Sequence, residues 1–492
     1  MKINYTARLA LLAALPATAF AAAEKADSSS EFPYLLPAQP SVFIKSLMTV
    51  GDAVSYKPHT AIPYKMVGIP DGLGAFDNDE DASLDNNPGQ GNAYGSGTFT
   101  LLMNQELQAT AGVPRDHGFT GAFISKWVID KKTLNVIKGE DLIKTARRWD
   151  NASQNYVPLT VGFTRFCSGD LAEKSAFYNK ATGLGYNGRI YLNGEESGIE
   201  GRAFAHFLDG NSFELPALGK LAFENCVANP GTGDKTIVSG TDDGTGGQVY
   251  IYAGDKSVSS DSLAAAGLKN GVLNAIKVAG LTAENDATAF TTGAFSVVSL
   301  GNVTGLTGAQ LEAASQAAGA TSFARPEDSC WDPKNPNDLY FLTTASFAGK
   351  SRLWKMAFVN AAEPELGGTA TVLLDGTTGP KMMDNLTISK NGTILIQEDV
   401  GNQAHLGKVW KYSIASGALE VIAEHDPALF TVGSPDFLTQ DEESSGAIAM
   451  DDILGEGWFL MDVQAHYPQP GELVEGGQLL ALRLSKDARK SK

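Results

Sequence analysis

Four stretches of this 492-residue chain share one design: a glycine, a short apolar strand, and acids, amides or a histidine where the strand ends. They are Gly97–Glu106 (GTFTLLMNQE), Gly188–Glu196 (GRIYLNGEE), Gly392–Asp399 (GTILIQED) and Gly457–His466 (GWFLMDVQAH). Alternate side chains of a strand face opposite ways, so strands that finish alike can gather their terminal polar groups at one rim of a barrel or propeller. Carboxylates crowded together repel unless cations lie between them, and hard oxygen donors select hard ions. The repeat therefore predicts an all-β fold with a metal site at its rim.

The rest of the chain agrees. Glycine is abundant at 53 and charged residues are only 19%, which favours short strands and tight turns over a helical bundle. Apolar or alternating runs bounded by turn residues mark strands at Phe123–Asp130, Thr236–Asp243, Gln248–Gly254, Leu339–Thr344, Ser351–Phe358, Lys408–Ile414 and Leu419–Glu424. From Asp338 the rhythm is strand, glycine-containing turn, strand, enough for about two propeller blades. Between 259 and 320 the composition turns to Ala, Leu and Gly, and Gly308–Ala318 reads as a helix, which predicts an insertion carried on a single domain spanning 37–492. Gly74–Gly97, rich in Asp, Asn and Gly, reads as a solvated loop because it lacks the spacing of a twelve-residue calcium loop.

Met1–Ala21 has Lys2 and Arg8 ahead of an apolar run and ends in Ala19-Phe20-Ala21, a signal peptide of the general secretory type. A periplasmic or secreted location follows, with residues 22–36 as a flexible tether. No later run is apolar enough to span a membrane. Loss of the signal's two positive charges takes the formal charge from −18 to −20, which repels nucleic acid and suits a holder of cations. Three cysteines, Cys167, Cys226 and Cys330, do not make a disulfide scaffold; Cys226 with Cys330 is a possible pair, and Cys167 in RFCSGDL a possible soft ligand.

RPEDSCWDP (Arg325–Pro333) holds the densest chemistry, a guanidinium able to fork onto phosphoryl oxygens beside two carboxylates, Glu327 and Asp328. FENC places Glu224 next to an amide and a thiol, and MMDNL supplies Asp384 and Asn385 before a strand whose partner ends in Glu398-Asp399. There is no nucleophile elbow, Walker loop or HExxH.

In this order, MNQE, a cysteine with polar flanks, NGEE, FEN, TDD, RPED before WDP, DNL and QED resemble the PhoX-type alkaline phosphatases and the exported proteins grouped with them, from about Val67 to Gly477. The resemblance implies a six-bladed β-propeller whose channel holds oxo-bridged ferric ions and calcium ions and hydrolyses small phosphomonoesters. Carried over by position, Cys167 would bind iron. Glu224 and Glu327 would bind the cluster, and Glu106, Glu195, Glu196, Asp328 and Asp399 would bind or bridge calcium. Asp384, Asn385 and Glu398 join them as metal-site members, with Arg325 as the phosphate contact and Arg325 and Glu327 as the catalytic pair. A monomer is expected. This chain departs from the family in its secretory rather than twin-arginine signal, and in RFCSGDLAEKSAFYN where the family has Gly-Gly and Thr-Pro-Trp-Gly. A phytase-like or lactonase-like calcium hydrolase and a non-catalytic cation-binding propeller are the alternatives.

Overall fold

The computed structural model describes residues 23–54, 63–79 and 96–485. The expected signal peptide and most of the acidic loop after Asp77 lie outside these residues.

Short strands stack outward from a central axis. The innermost are Pro70–Asp77, Phe166–Asp170, Phe223–Ala228, Pro326–Trp331, Met383–Ile388 and Glu442–Ala449, and each touches the next around a closed ring. Each carries further, mostly antiparallel strands on its outer side, and we call each such group a sector, numbered one to six in the order given. Sectors three and four join through their outermost strands, Thr292–Gly301 and Gly368–Leu374, into a nine-stranded sheet. This is a β-propeller.

Strand alternation explains why the sectors pack. In sector one, Leu101 and Met103 face sector six, where they meet Leu460 and Leu479, while Leu102 faces sector two and meets Tyr191 and Phe204. The same two-sided arrangement produces one apolar cluster at every boundary between neighbouring sectors. Each buried Leu, Ile or Phe side chain contributes about 1.5–3 kcal/mol, so the cores lie between sheets and the axis is left to polar groups.

Two expectations are corrected. Of the expected tether, residues 23–36 are not free: Ala23–Lys25 pairs in parallel with Val42–Thr49, and Leu35–Pro37 pairs with Leu419–His425. Val42–Thr49 itself lies antiparallel to Glu475–Leu484, so the two ends of the domain close sector six together. The stretch from 259 to 320 also does more than decorate. Val272–Val278 and Thr292–Gly301 are outer strands of sector three, and the helix Gly308–Ala318, closed by a Thr307 capping box, follows them. Its Ala-rich composition hid strands whose buried face is mostly small and aliphatic. The three cysteines are all free, so Cys226 and Cys330 do not pair.

Candidate metal and phosphate site

One backbone hydrogen bond recurs in every sector and builds the site. The residue just before the innermost strand accepts from the N–H at the end of the second strand: Glu106 to Ile69 (2.8 Å), Glu196 to Arg165 (2.9 Å), Asp243 to Ala222 (2.9 Å), Thr344 to Arg325 (3.0 Å), Asp399 to Met382 (3.1 Å) and His466 to Asp441 (3.0 Å). Two residues after each acceptor stands a second functional position, occupied in turn by Asp71, Cys167, Glu224, Glu327, Asp384 and Glu443. An irregularity interrupts the pairing of each innermost strand, next to these residues in sectors one to five and just beyond Ser445 in sector six. Ile69, Arg165, Arg325 and Met382 adopt left-handed backbone, with φ of 55°, 44°, 60° and 43°. The sharp turn they make feeds the chain into the axis.

These positions meet. Ligand atoms of Asp71, Glu106 and Cys167 lie within 4.8 Å of one another, as do those of Cys167, Glu196 and Glu224, of Glu224, Glu327 and Asp384, and of Asp384, Asp399 and Glu443. Shared members link the four triplets into one ribbon around the mouth of the channel. Two carboxylates at that separation repel by on the order of 3 kcal/mol in a partly screened site. Burial is the first cause raising the carboxyls of Glu224, Glu327, Asp384 and Glu443 above their ordinary range, and neighbouring carboxylates are the second. Asp71 is pushed up to about 7 by burial and then by Glu106. Burial likewise raises the Cys167 thiol, whose Sγ donates to Asp71 Oδ2 at 3.2 Å. Asp384 Oδ1 is buried with no hydrogen-bond partner among the described residues. A buried anion with an orphaned oxygen wants a cation. The residues present fit metal ions: many hard carboxylate oxygens and one thiol, converging on a single pocket.

Two arginines border the ribbon. Arg325 forks onto Asp243, Nε to Oδ1 at 2.7 Å and Nη2 to Oδ2 at 2.8 Å, and Nη2 also lies 3.3 Å from Glu327. Arg165 reaches Glu106 at 2.8 Å and also Glu196, both through Nη2. His466 bonds Glu475 at 2.6 Å and stands 3.9 Å from Glu443.

Of the residues singled out from sequence, Glu106, Cys167, Glu196, Glu224, Glu327, Asp384 and Asp399 belong to the ribbon, and Arg325 to its border. Four do not. Glu195 points to the opposite face of its strand from Glu196 and pairs with Arg202, at 2.8 and 3.0 Å. Glu398 differs from Asp399 in the same way and accepts from the backbone N–H of Lys381 and Lys408 and from the Trp410 indole. One step deeper, Asp328 accepts from Asn225 at 2.6 Å and from the N–H of Ser329 and Leu386, while Asn385 lies between Ser168 and Ser445. Sequence reading missed Asp71, Glu443 and Arg165, and gave Asp243, the end of TDD, no place in the site. The signal was present in the spacing, because Ile69-Pro70-Asp71 and Asp441-Glu442-Glu443 occupy the register of Arg325-Pro326-Glu327.

The family profile of alkaline phosphatase PhoX matches residues 211–367, which include FEN, TDD and RPED. Over those residues the chain is similar to the PhoX alkaline phosphatases. Among solved structures it resembles PhoX of Pseudomonas fluorescens in complex with vanadate, a transition-state analogue, with a TM-score of 0.65, 12% identity, and coverage of 95% of this chain and 98% of that one. That likeness carries the propeller fold over almost the whole length. A putative 6-phosphogluconolactonase from Bacteroides uniformis aligns far more loosely, with a TM-score of 0.31 and 16% identity over 65% of this chain and 80% of its own. No curated protein matches the chain. Among the described residues, no helix is long and apolar enough to cross a membrane.

Proposed function

We propose that this PhoX relative, by family a phosphoric ester hydrolase, cleaves small phosphate monoesters outside the cytoplasm at metal ions held by the ribbon. The observation that carries the reading is the shared register: every sector delivers a carboxylate or thiol to the same pocket. The thiol of Cys167, with Glu196 and Glu224 beside it, suits ferric iron, and the all-carboxylate triplet Asp384, Asp399 and Glu443 suits calcium. Bound there, such ions would neutralise phosphate charge and lower the pKa of a water to be used against phosphorus.

The chain's own groups do the remaining work. Asp71, Glu106, Glu196, Glu224, Glu327, Asp384, Asp399 and Glu443 fix the cations. Asp243 holds the Arg325 side chain in one orientation beside Glu327, where its charge favours an incoming phosphoester and the extra charge of the transition state. Two serine hydroxyls beside the ring are held in hydrogen bonds. Ser168 is bonded to Glu224 and Asn385, and Ser445 to Asp71 and Asn385.

Protein purified from its own export route should release nitrophenol from nitrophenyl phosphate, lose that activity to a chelator, and contain both iron and calcium. Calcium without iron would move the reading to a calcium hydrolase. Full metal content with no turnover over a panel of phosphoesters would leave a cation-binding propeller.

A further inference from the structure

Arg325 and Arg165 occupy the same position in sectors four and two: the left-handed residue before the innermost strand, with φ of 60° and 44°. Their side chains are exposed to nearly the same extent, 35% and 37%. Their hydrogen bonds differ. Arg325 commits the Nε–Nη2 edge of its guanidinium to a two-point grip on Asp243. Arg165 makes both of its carboxylate contacts through the single nitrogen Nη2, and among the described residues no group accepts from its Nη1 or Nε, the latter being buried. An arginine that spends one nitrogen keeps hydrogen-bond donors for an anion; one whose fork is filled keeps fewer.

The location of Arg165 matters as much. It bridges Glu106, which belongs to the triplet with Asp71 and Cys167, and Glu196, which belongs to the triplet with Cys167 and Glu224. Cations entering those triplets would take over the charge of both glutamates and leave the guanidinium to a negatively charged ligand at the mouth. Resting on the phosphoester reading of the site, we propose that Arg165 is a direct contact to a terminal phosphoryl oxygen of the substrate, and that Arg325, held by Asp243, is the secondary one.

The test uses metal-loaded full-length protein and its Arg165→Ala, Arg165→Lys and Arg325→Ala variants. Inorganic phosphate is titrated by calorimetry, and its inhibition of nitrophenyl phosphate hydrolysis is measured alongside metal content and melting midpoint. A lost charge-assisted hydrogen bond predicts that Arg165→Ala weakens phosphate binding roughly ten- to a hundredfold and raises KM with it. Arg325→Ala should weaken binding less, Arg165→Lys should recover part of the loss, and the metals and melting midpoint should stay as in the wild type. Unchanged phosphate affinity in Arg165→Ala overturns the proposal. So does a loss of phosphate binding that only tracks a loss of metal, which would make Arg165 a clamp on Glu106 and Glu196. If the wild type binds phosphate through Arg165 yet hydrolyses no phosphoester, the phosphatase reading fails and the anion contact stands. A metal-loaded wild type that binds no phosphate sinks the contact as well.

Discussion

The rim of the channel and the layer directly beneath it are both polar and buried, yet they are built on opposite terms. Beneath the rim, Asp328 receives hydrogen bonds from Asn225, Ser329 and Leu386, and Asn385 links Ser168 to Ser445. Beyond that layer, toward the far end of the innermost strands, lies a chamber of about 270 Å³ lined by Asp170, Asp328, Cys330, Leu386 and Met450 among others. In the lower layer Asp328 and Asn385 are satisfied by the protein, although Asp462 beside Ser445 has no hydrogen-bond partner among the described residues. At the rim, acids from every direction face one another with two arginines for many carboxylates, and an oxygen of Asp384 has no partner among the described residues. A carboxylate that the protein solvates is architecture, and one that it leaves unsolvated is a ligand in waiting.

The largest effect that can break this comparison is on catalysis. Glu224 belongs to two triplets, so Glu224→Ala should remove metal from both and lower kcat/KM for nitrophenyl phosphate by roughly a thousandfold or more. Elemental analysis and steady-state kinetics on the same sample check it. Wild-type turnover in that variant would mean that the ribbon is not the catalytic centre.

Next comes the pH dependence of the metal-free protein. Asp71 keeps its proton up to about 7 in the fold, against 3.8 ordinarily, and Glu224, Glu327 and Glu443 shift in the same direction. The folded chain then binds more protons than the unfolded one across that window, so stability is complete below about 4 and drains as the pH climbs toward 7. For Asp71 alone the swing is on the order of 4 kcal/mol. Melting midpoints of chelated protein should fall between those pH values, and calcium and iron should abolish the fall. A midpoint that rises over the same range without metal would contradict the unsolvated rim.

Much of this contrast was legible in the sequence. Strand endings such as MNQE, NGEE and QED announced the rim because a propeller repeats its register, and RPED announced the arginine. What was not legible was the pleat. Glu195 and Glu196, or Glu398 and Asp399, are chemically alike and adjacent, and only the phase of the strand against its neighbours sends one to the axis and the other outward. Asp71 and Glu443 were missed for a related reason. Asp71 is one acid near the start of a strand and Glu443 the last of a run of three, and their meaning appears only once six such starts are superposed. Residues 23–25 and 35–36 were read as part of a tether because three-residue strands carry too little pattern to register.

A smaller effect belongs to the lower layer. Asp328→Ala leaves Asn225 and two backbone N–H groups without their acceptor, and should lower unfolding free energy by about 2–4 kcal/mol in denaturant titrations. Metal content at saturating calcium and iron should change little. Loss of metal at unchanged stability would place Asp328 in the ribbon's chemistry and erase the boundary between the layers.

The finest distinction is between neighbours on one strand. Glu195 is 2% exposed and its partner Arg202 is largely covered, so Glu195→Ala strands a buried cation and should cost about 2–3 kcal/mol of stability. Metal content should follow the wild type. Glu196→Ala removes an acid from a repulsive cluster, so the metal-free protein should lose little stability or gain a few tenths of a kcal/mol, while the loaded protein loses a ligand and the Arg165 contact. Two adjacent glutamates thus predict opposite pairs of outcomes in two measurements. If both variants lose stability and neither loses metal, then Glu196 is held for packing as Glu195 is, and alternation along the strand does not separate ligand from scaffold.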